Sequence, residues 1–418
     1  MRHLIGLLII FLFSISINAQ KKGKTIEEVK NRRSSLHTML VQTGNKFLKK
    51  ELVIAAYDKA PFPDKYNNHY VGTAEEKAFN PFDYTVTNED RLAVGIKVAA
   101  EDDTTSGENK KVKDLPALIA KHLKEKSVAK QLVAKWFNRQ PDGSFNINLI
   151  SERGFYNATD LDASLAAKTV RGRASLADAG EELIKNTFVV VNKMFFLKNE
   201  PFAKATQIAA IAAAQKLPIG SAAAIQAANL AYEKAKDGYS VWTTSFLYQL
   251  AWNDSIQSVF YNDLYGVKNK DAFDKTDLFT MKYIGKTKAT SLVLFGKGTE
   301  QETIELAVIR NIDNVYARLQ KNYEVFKTKT PLFTSDPITA KIGKKEGLEG
   351  GEKFEVLEQG LDSKTGLTYY KRKGVITVEE VHDNRYNAGE EDENGENNVT
   401  TFKGGKKFYP GMLIRQMK

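Results

Sequence analysis

Cysteine is absent from the 418 residues of this chain, and histidine occurs only five times. A chain without cysteine can form no disulfide and no thiolate metal site, so its stability must come from packed cores. The histidines that follow His3 are His37, His69, His122 and His382. They are far apart in the sequence, and none belongs to an H-E-x-x-H pair. The sequence therefore predicts neither a catalytic histidine nor a histidine metal site.

The sequence also lacks the common motifs of nucleophilic and phosphate chemistry. Residues 172–175 do not have the G-x-S-x-G spacing of a strained nucleophile turn, and residues 296–298 do not complete a phosphate-binding loop. No cofactor is predicted. The acidic segment 390–398 carries carboxylate and amide oxygens that suit Ca²⁺, but such a run is also typical of a solvated hairpin tip. The metal content of the protein is left open.

The first 19 residues have the order of a secretory signal peptide. Arg2 and His3 form a basic start, residues 4–17 are apolar apart from Gly6, Ser14 and Ser16, and Ala19 supplies a small residue at the expected cut. The apolar part is shorter than the roughly 20 residues that a transmembrane helix needs. We therefore expect cleavage after Ala19 and a periplasmic or outer-membrane-associated protein, with an uncleaved anchor as the alternative. Without cysteine, a lipid-modified N-terminus is excluded.

Charge points to the kind of partner. The formal net charge is +10, which favours anionic partners such as acidic polymers or a lipid surface. The alternative is a generally basic surface with no dedicated partner. No block of five lysines or arginines occurs, so no nucleic-acid partner is predicted.

Composition along the chain predicts the following organisation: a signal peptide at 1–19, an N-terminal α+β region at 20–112, a mixed α/β domain at 113–330, and a small β-barrel-like domain at 338–418. The fold class is thus an α+β or mixed α/β main domain with an alanine-rich helical hairpin, followed by a small all-β barrel-like C-terminal domain. Prolines and polar residues predict a linker at 331–337.

Periodicity gives expectations for individual elements. Apolar residues at helical spacing predict helices over 26–52, 115–137 and 312–326. Alternation and β-branched residues predict strands, among them the segments 83–87, 92–98, 187–196 and 303–309.

The last 80 residues carry a glycine-spaced pattern, ITAKIGKKEGLEGGEKFEVL at 338–357 followed by GVITVEEV at 374–381. This pattern resembles the small C-terminal β-barrel module of flagellar T-ring assembly proteins and of curli-secretion-type envelope proteins. The resemblance implies a structural or assembly role, and it brings no catalytic residues with it.

Two stretches supply candidate contact residues. Residues 203–235 contain 14 alanines around a Pro218–Gly220 break and predict two helices. These helices pack closely on each other within the fold, on a partner or a second copy of the chain, or on a membrane surface. The aromatic stretch 239–261 is either core or a carbohydrate platform. The candidates for interaction are Ala209, Ala213, Ala224, Ala228, Tyr239, Trp242 and Trp252.

Two functional hypotheses follow from these observations. The first is an exported non-enzymatic envelope protein with a structural, assembly or interaction role, whose partners are other envelope proteins. The alternative is a secreted hydrolase acting on polysaccharide or peptidoglycan, which would need two carboxylates facing each other across a cleft.

Overall fold

A computed structural model describes residues 34–41, 49–60, 66–68, 78–97, 113–148, 150, 182–266, 270–294, 299–361, 368–385, 399–405 and 407–417. The predicted signal peptide, His69 and the acidic segment 390–398 lie outside these residues. The described part is mixed α/β and contains two sheets, of six and seven strands. The predicted mixed α/β character is therefore confirmed.

The first sheet combines parallel and antiparallel pairing. Its order is β2-β1-β4-β5-β6, and β3 also pairs with β1. The strands that pair with β1 are all parallel to it, whereas β5 is antiparallel to both of its neighbours, β4 and β6. The strands are β1 (Ser34–Val41), β2 (Tyr66–Asn68), β3 (Ala78–Phe79), β4 (Thr187–Lys198), β5 (Gly238–Leu250) and β6 (Met281–Leu294).

Two helices, α1 (Lys50–Lys59) and α9 (Glu300–Asn322), cover one face of this sheet. The 23-residue helix α9 begins with a capping box in which Thr299 accepts from the backbone of Glu302 and Glu302 accepts from the backbone of Thr299. Its apolar residues repeat at helical spacing and pack on the strands, so this face is a continuous core.

The opposite face of the sheet is covered only in part. Helices α3 (Leu115–Glu125) and α4 (Val128–Trp136) pack on one half of it. Beyond them, a third core joins α4 to α7 (Asp254–Val259) and α8 (Lys270–Lys275) through closely packed aromatic rings. The short helix α2 (Asn88–Ala93) lies beside α3, and Arg91 forms an ion pair with Asp114 there at 2.8 Å.

Several sequence-based element predictions are wrong. Within the predicted helix 26–52, residues 34–41 form β1 instead, because Ser35–Leu40 pair with Thr187–Asn192 in the interior of the sheet. The predicted strands at 83–87 and 92–98 are absent from the described residues. The chain there forms helix α2, which begins after Thr87 and includes Leu92, and Thr87 and Asp90 form its capping box. The predicted strand 303–309 is the first half of α9.

The predicted helix 115–137 is divided in two, because Ser127 takes a left-handed conformation with φ of 52° between α3 and α4. The strand prediction at 187–196 is confirmed as the larger part of β4.

The alanine-rich stretch contains α5 (Glu200–Ala214) and α6 (Ser221–Ala235), which lie between β4 and β5 in the chain. The two helices contact each other, and Gln207 Nε2 donates to Asn229 Oδ1 at 2.8 Å. Gly220 has a φ of 83°, which L-residues rarely adopt, at the turn into α6. The helices thus extend from one end of the β4–β5 pair.

The second sheet is all-β and curled into a half-barrel, in the order β7-β13-β10-β11-β12-β9-β8. Residues 330–335, expected in part as linker, supply its two edge strands, because Thr330–Pro331 pair with Leu413–Ile414 and Thr334–Ser335 pair with Ile338–Thr339. The strands are β7 (Thr330–Pro331), β8 (Thr334–Ser335), β9 (Ile338–Ala340), β10 (Lys353–Leu361), β11 (Thr368–Glu380), β12 (Thr400–Gly404) and β13 (Leu413–Gln416).

Among the helices in the described ranges, none combines the length and the apolar character that crossing a membrane would require.

Candidate interaction surface

The partly covered face of the first sheet changes character along its strands. Side chains on a strand alternate between faces, so Val189, Val191, Lys193 and Phe195 of β4 share one face. Val189 and Val191 are fully buried under α3 and α4, whereas Phe195 is 45% exposed. The covered part of this face therefore ends between Val191 and Phe195.

The pairing register gives the rows of this face. Val191 pairs with Phe246, which pairs with Lys286, and the next rows begin with Lys193, Phe195 and Leu197 in turn. The side chains of this face that the helices leave uncovered are here called the open face. Its exposed members are Phe195, Trp242, Lys286, Lys288, Thr290 and Leu292, and Lys193 lies buried at its border.

Large apolar groups of the open face meet solvent. Trp242 is 47% exposed and Leu292 is 59% exposed. Phe202, in the first turn of α5, stacks on Trp242 with a centroid distance of 6.0 Å and is itself 46% exposed. An exposed patch of aromatic and aliphatic side chains on a sheet is typical of an interaction site. The stacking of Phe202 on Trp242 also joins the open face to the helix pair.

The charge of the open face has one sign. Strands β4, β5 and β6 together contain five lysines and no aspartate or glutamate. None of the ion pairs in the described part of the chain involves the side chains of Lys193, Lys286 or Lys288. The open face is therefore apolar and positively charged.

Lys193 lies at the border between the covered and the open rows. Its side chain is 8% exposed, and its Nζ lies 5.0 Å from the centre of the Phe195 ring. Burial lowers the pKa of this amine below its usual value, because a buried ammonium loses hydration. The contact with the Phe195 ring offsets part of that cost through a cation–π interaction.

The helix pair α5–α6 carries exposed apolar side chains and hardly any charge. Residues 205–232 contain one charged residue, Lys216, and Ile219 at the turn between the helices is 89% exposed. Leu217 beside it is 49% exposed. Of the predicted interaction residues, Ala209 and Ala213 are exposed, Ala224 is half-buried and Ala228 is buried.

The predicted aromatic residues are separated by the fold. Tyr239 is 2% exposed in the core beneath α9, and its hydroxyl donates to Glu300. Burial and then this carboxylate raise the pKa of Tyr239 to about 12. Trp252 is 6% exposed in the third core. Of the three predicted aromatic contact residues, Trp242 alone lies at the surface, so they form no common platform.

The described histidines do not gather into a site. His122 in α3 is buried, its ring stacks on Phe79 at 3.7 Å, and its Nδ1 lies 2.8 Å from the Tyr84 hydroxyl. Burial, with a smaller contribution from Lys126, lowers the pKa of His122 to about 4. Within the described ranges, no group of three or more histidine, aspartate or glutamate side chains is arranged to hold a metal ion.

Sequence reasoning singled out Trp242 but missed Phe195, Phe202, Leu292 and the three lysines. Their signal was weak, because β4 is apolar on both faces and the sequence does not show which face the helices cover. The absence of acidic residues from β4, β5 and β6 was the pattern that could have indicated this face.

No protein-family model matches the chain, and no curated protein matches it.

Proposed function

We propose that this protein is an exported, non-enzymatic component of a cell envelope that works by binding other envelope components. The observation that carries this proposal is the open face, where large apolar side chains and lysines lie exposed beside the helix pair. A partner that covers the water-exposed Trp242 and Leu292 lowers the free energy of the system, because burial removes their apolar area from water.

The helix pair supports the same function. A helix surface that stays in water normally carries charged side chains on its outer side, whereas residues 205–232 carry only Lys216. Alanines at the surface also let another molecule approach the helix backbone closely. The helix pair therefore extends the binding surface beyond the open face, and contact with a second copy of the chain is one form that this binding can take.

The C-terminal half-barrel is the second element of the proposal. Its glycine-spaced strands resemble the barrel module of envelope assembly proteins, and we propose that it is a small barrel-like domain with an interaction role. The N-terminal 19 residues, with the composition of a signal peptide, place this activity outside the cytoplasm in our proposal.

Site-specific photocrosslinking in cells that produce the protein naturally tests this function. A photoreactive amino acid at position 242 or 292 should give adducts with envelope components. The matched control is position 92, because Leu92 is a comparably exposed apolar residue, at 62%, on helix α2. Adducts from all three positions alike, or from none, would contradict the proposal.

A further inference from the structure

We propose that the open face docks the protein on an anionic lipid surface, with the ring of Trp242 and the side chain of Leu292 at the level of the headgroups. This inference rests on the proposed binding function and names the component that is bound.

The composition of the open face matches a lipid interface. Tryptophan and lysine are the residues that anchor proteins at the boundary between water and hydrocarbon, because each has an apolar body and a polar end. The face contains Trp242, Phe195 and Leu292 together with the exposed Lys286 and Lys288, and Phe202 continues it onto α5. An acidic polysaccharide would match the lysines and could stack on the Trp242 ring, but it would leave the aliphatic side chain of Leu292 without an apolar partner.

The charge of the open face selects an anionic occupant. Lys286 and Lys288 are exposed on β6 and without a carboxylate partner in the described part of the chain, and strands β4, β5 and β6 supply no acidic residue. Symmetric packing of two copies through this face would bring like charges together, which disfavours such a dimer. Each lysine near an anionic membrane strengthens binding about fivefold.

The shape of the open face also suits a surface rather than a ligand of small size. Three adjacent strands lie about 4.8 Å apart, and the rows from Lys193 to Leu197 extend about 13 Å along them. The exposed side chains stand on one side of this sheet. The face can therefore meet a planar layer of headgroups with several side chains at once.

The fluorescence emission of tryptophan reports on this contact. It has three tryptophans, of which Trp136 and Trp252 are buried and Trp242 is exposed. Transfer of an indole from water to a headgroup region shifts its emission to shorter wavelength. A blue shift on binding would therefore report on Trp242.

The experiment uses the chain from Gln20 to Lys418 and vesicles of phosphatidylglycerol and phosphatidylcholine in equal amounts, with vesicles of phosphatidylcholine alone for comparison. We expect sedimentation with the anionic vesicles only, a blue shift of the tryptophan emission, and weaker binding at high salt because exposed charges are screened. Equal binding to both kinds of vesicle, or binding to neither, would overturn the inference.

Two sets of variants locate the contact. Reversing the charge at Lys286 and Lys288, K286E with K288E, should weaken binding at least about 30-fold, since two attractions become repulsions. The matched control is K371E with K407E, which reverses two exposed lysines of the C-terminal half-barrel and should leave binding within about threefold. Equal effects of the two pairs would overturn the inference.

Trp242→Ser should weaken sedimentation about tenfold, because the indole is the largest apolar group of the face. Circular dichroism and the melting temperature verify the fold of each variant, and the exposed lysine pair provides the result if the tryptophan variant is unstable. Binding to dextran sulfate without binding to vesicles would overturn the lipid assignment. Protein adducts from photocrosslinking without any vesicle binding would overturn it too, yet the proposed binding function would stand.

Discussion

The covered half and the open face belong to the same three strands and point to the same side of one sheet. In the covered half, Val191 and Phe246 are buried beneath α3 and α4, and Tyr248 donates its hydroxyl to Pro116 O of α3. Two rows further along, Phe195 and Trp242 are similar in size and apolar character but about half exposed. The side chains of the two regions are similar, and they differ in burial because α3 and α4 cover only one of the regions.

An apolar residue on a strand therefore does not by itself indicate a buried core position. The covered half lowers the free energy of the folded chain through contacts that exist within it. The open face has comparable apolar groups whose contacts are incomplete, and the adjacent lysines are without carboxylate partners among the described residues. Neighbouring rows of one sheet thus stabilise the fold and, in our proposal, bind a partner.

The largest test compares Phe246 with Trp242, two aromatic residues on one face of β5. Phe246→Ala should lower the free energy of unfolding by about 3–5 kcal/mol, because it leaves a cavity under α3. Trp242→Ala should lower it by less than about 1 kcal/mol, since no cavity forms at a half-exposed site. Urea unfolding followed by the emission of buried Trp136 and Trp252 measures both. Equal losses of unfolding free energy in the two variants would contradict the difference between the covered and the exposed side chain.

A second test concerns the covering helix α3 and its pH dependence. The pKa of buried His122 is about 4, below the ordinary 6.5, so the unfolded chain takes up a proton first as the pH falls. Stability should therefore be fully present above pH 6.5 and fall between pH 6.5 and 4, by about 2–3 kcal/mol from this residue. Melting temperatures across this range should show a smaller decrease for His122→Gln. An unchanged decrease would contradict the assignment.

A third test concerns the fully covered face beneath α9. Asn311 Nδ2 donates to Val241 O at 3.0 Å, and Thr243 Oγ1 donates to Asn311 Oδ1 at 2.5 Å. Asn311→Leu should lower the free energy of unfolding by about 1–3 kcal/mol, because the buried Thr243 hydroxyl loses its partner. Asn314→Ala, on the more exposed side of the same helix, serves as control and should cost less. Chemical unfolding of the two variants provides the comparison.

The smallest effect is expected at Lys193, on the border between the two regions. Burial lowers its pKa, so the folded chain is penalised for the charged amine at every pH below the normal 10.5, and this penalty disappears as the pH rises toward that value. Lys193→Met should therefore raise the melting temperature at pH 7 by up to about 2 °C. A clear decrease would show that the ammonium group stabilises the fold.

The sequence predicted part of this architecture, and the physical reasons for success and failure differ by element. Strand β4 was predictable because its β-branched and aromatic run is long and uninterrupted. Strand β1 was not, because its apolar residues also match helical spacing, and only the pairing with β4 decides between the two. In α9 the β-branched residues Thr303, Ile304 and Val308 suggested a strand, although the capping box at Thr299 and Glu302 was readable.

The candidate surface was predictable only in one residue, Trp242. Which half of the sheet is covered depends on where α3 and α4 end, and this is a tertiary property that neither composition nor periodicity expresses. Tyr239 and Trp252 show the same limit, since they are aromatic residues of the same stretch that the fold buries in two separate cores.

Oxidative footprinting, with hydroxyl radicals applied to the purified protein and to the protein in intact cells, measures whether the open face is occupied in the cell. In the purified protein, Trp242 should be oxidised readily, and Trp136 and Trp252 should be protected by burial. In cells, the account predicts that Trp242 becomes protected as well, because the open face is occupied there. Oxidation of Trp242 at the same rate in cells as in the purified protein would contradict it.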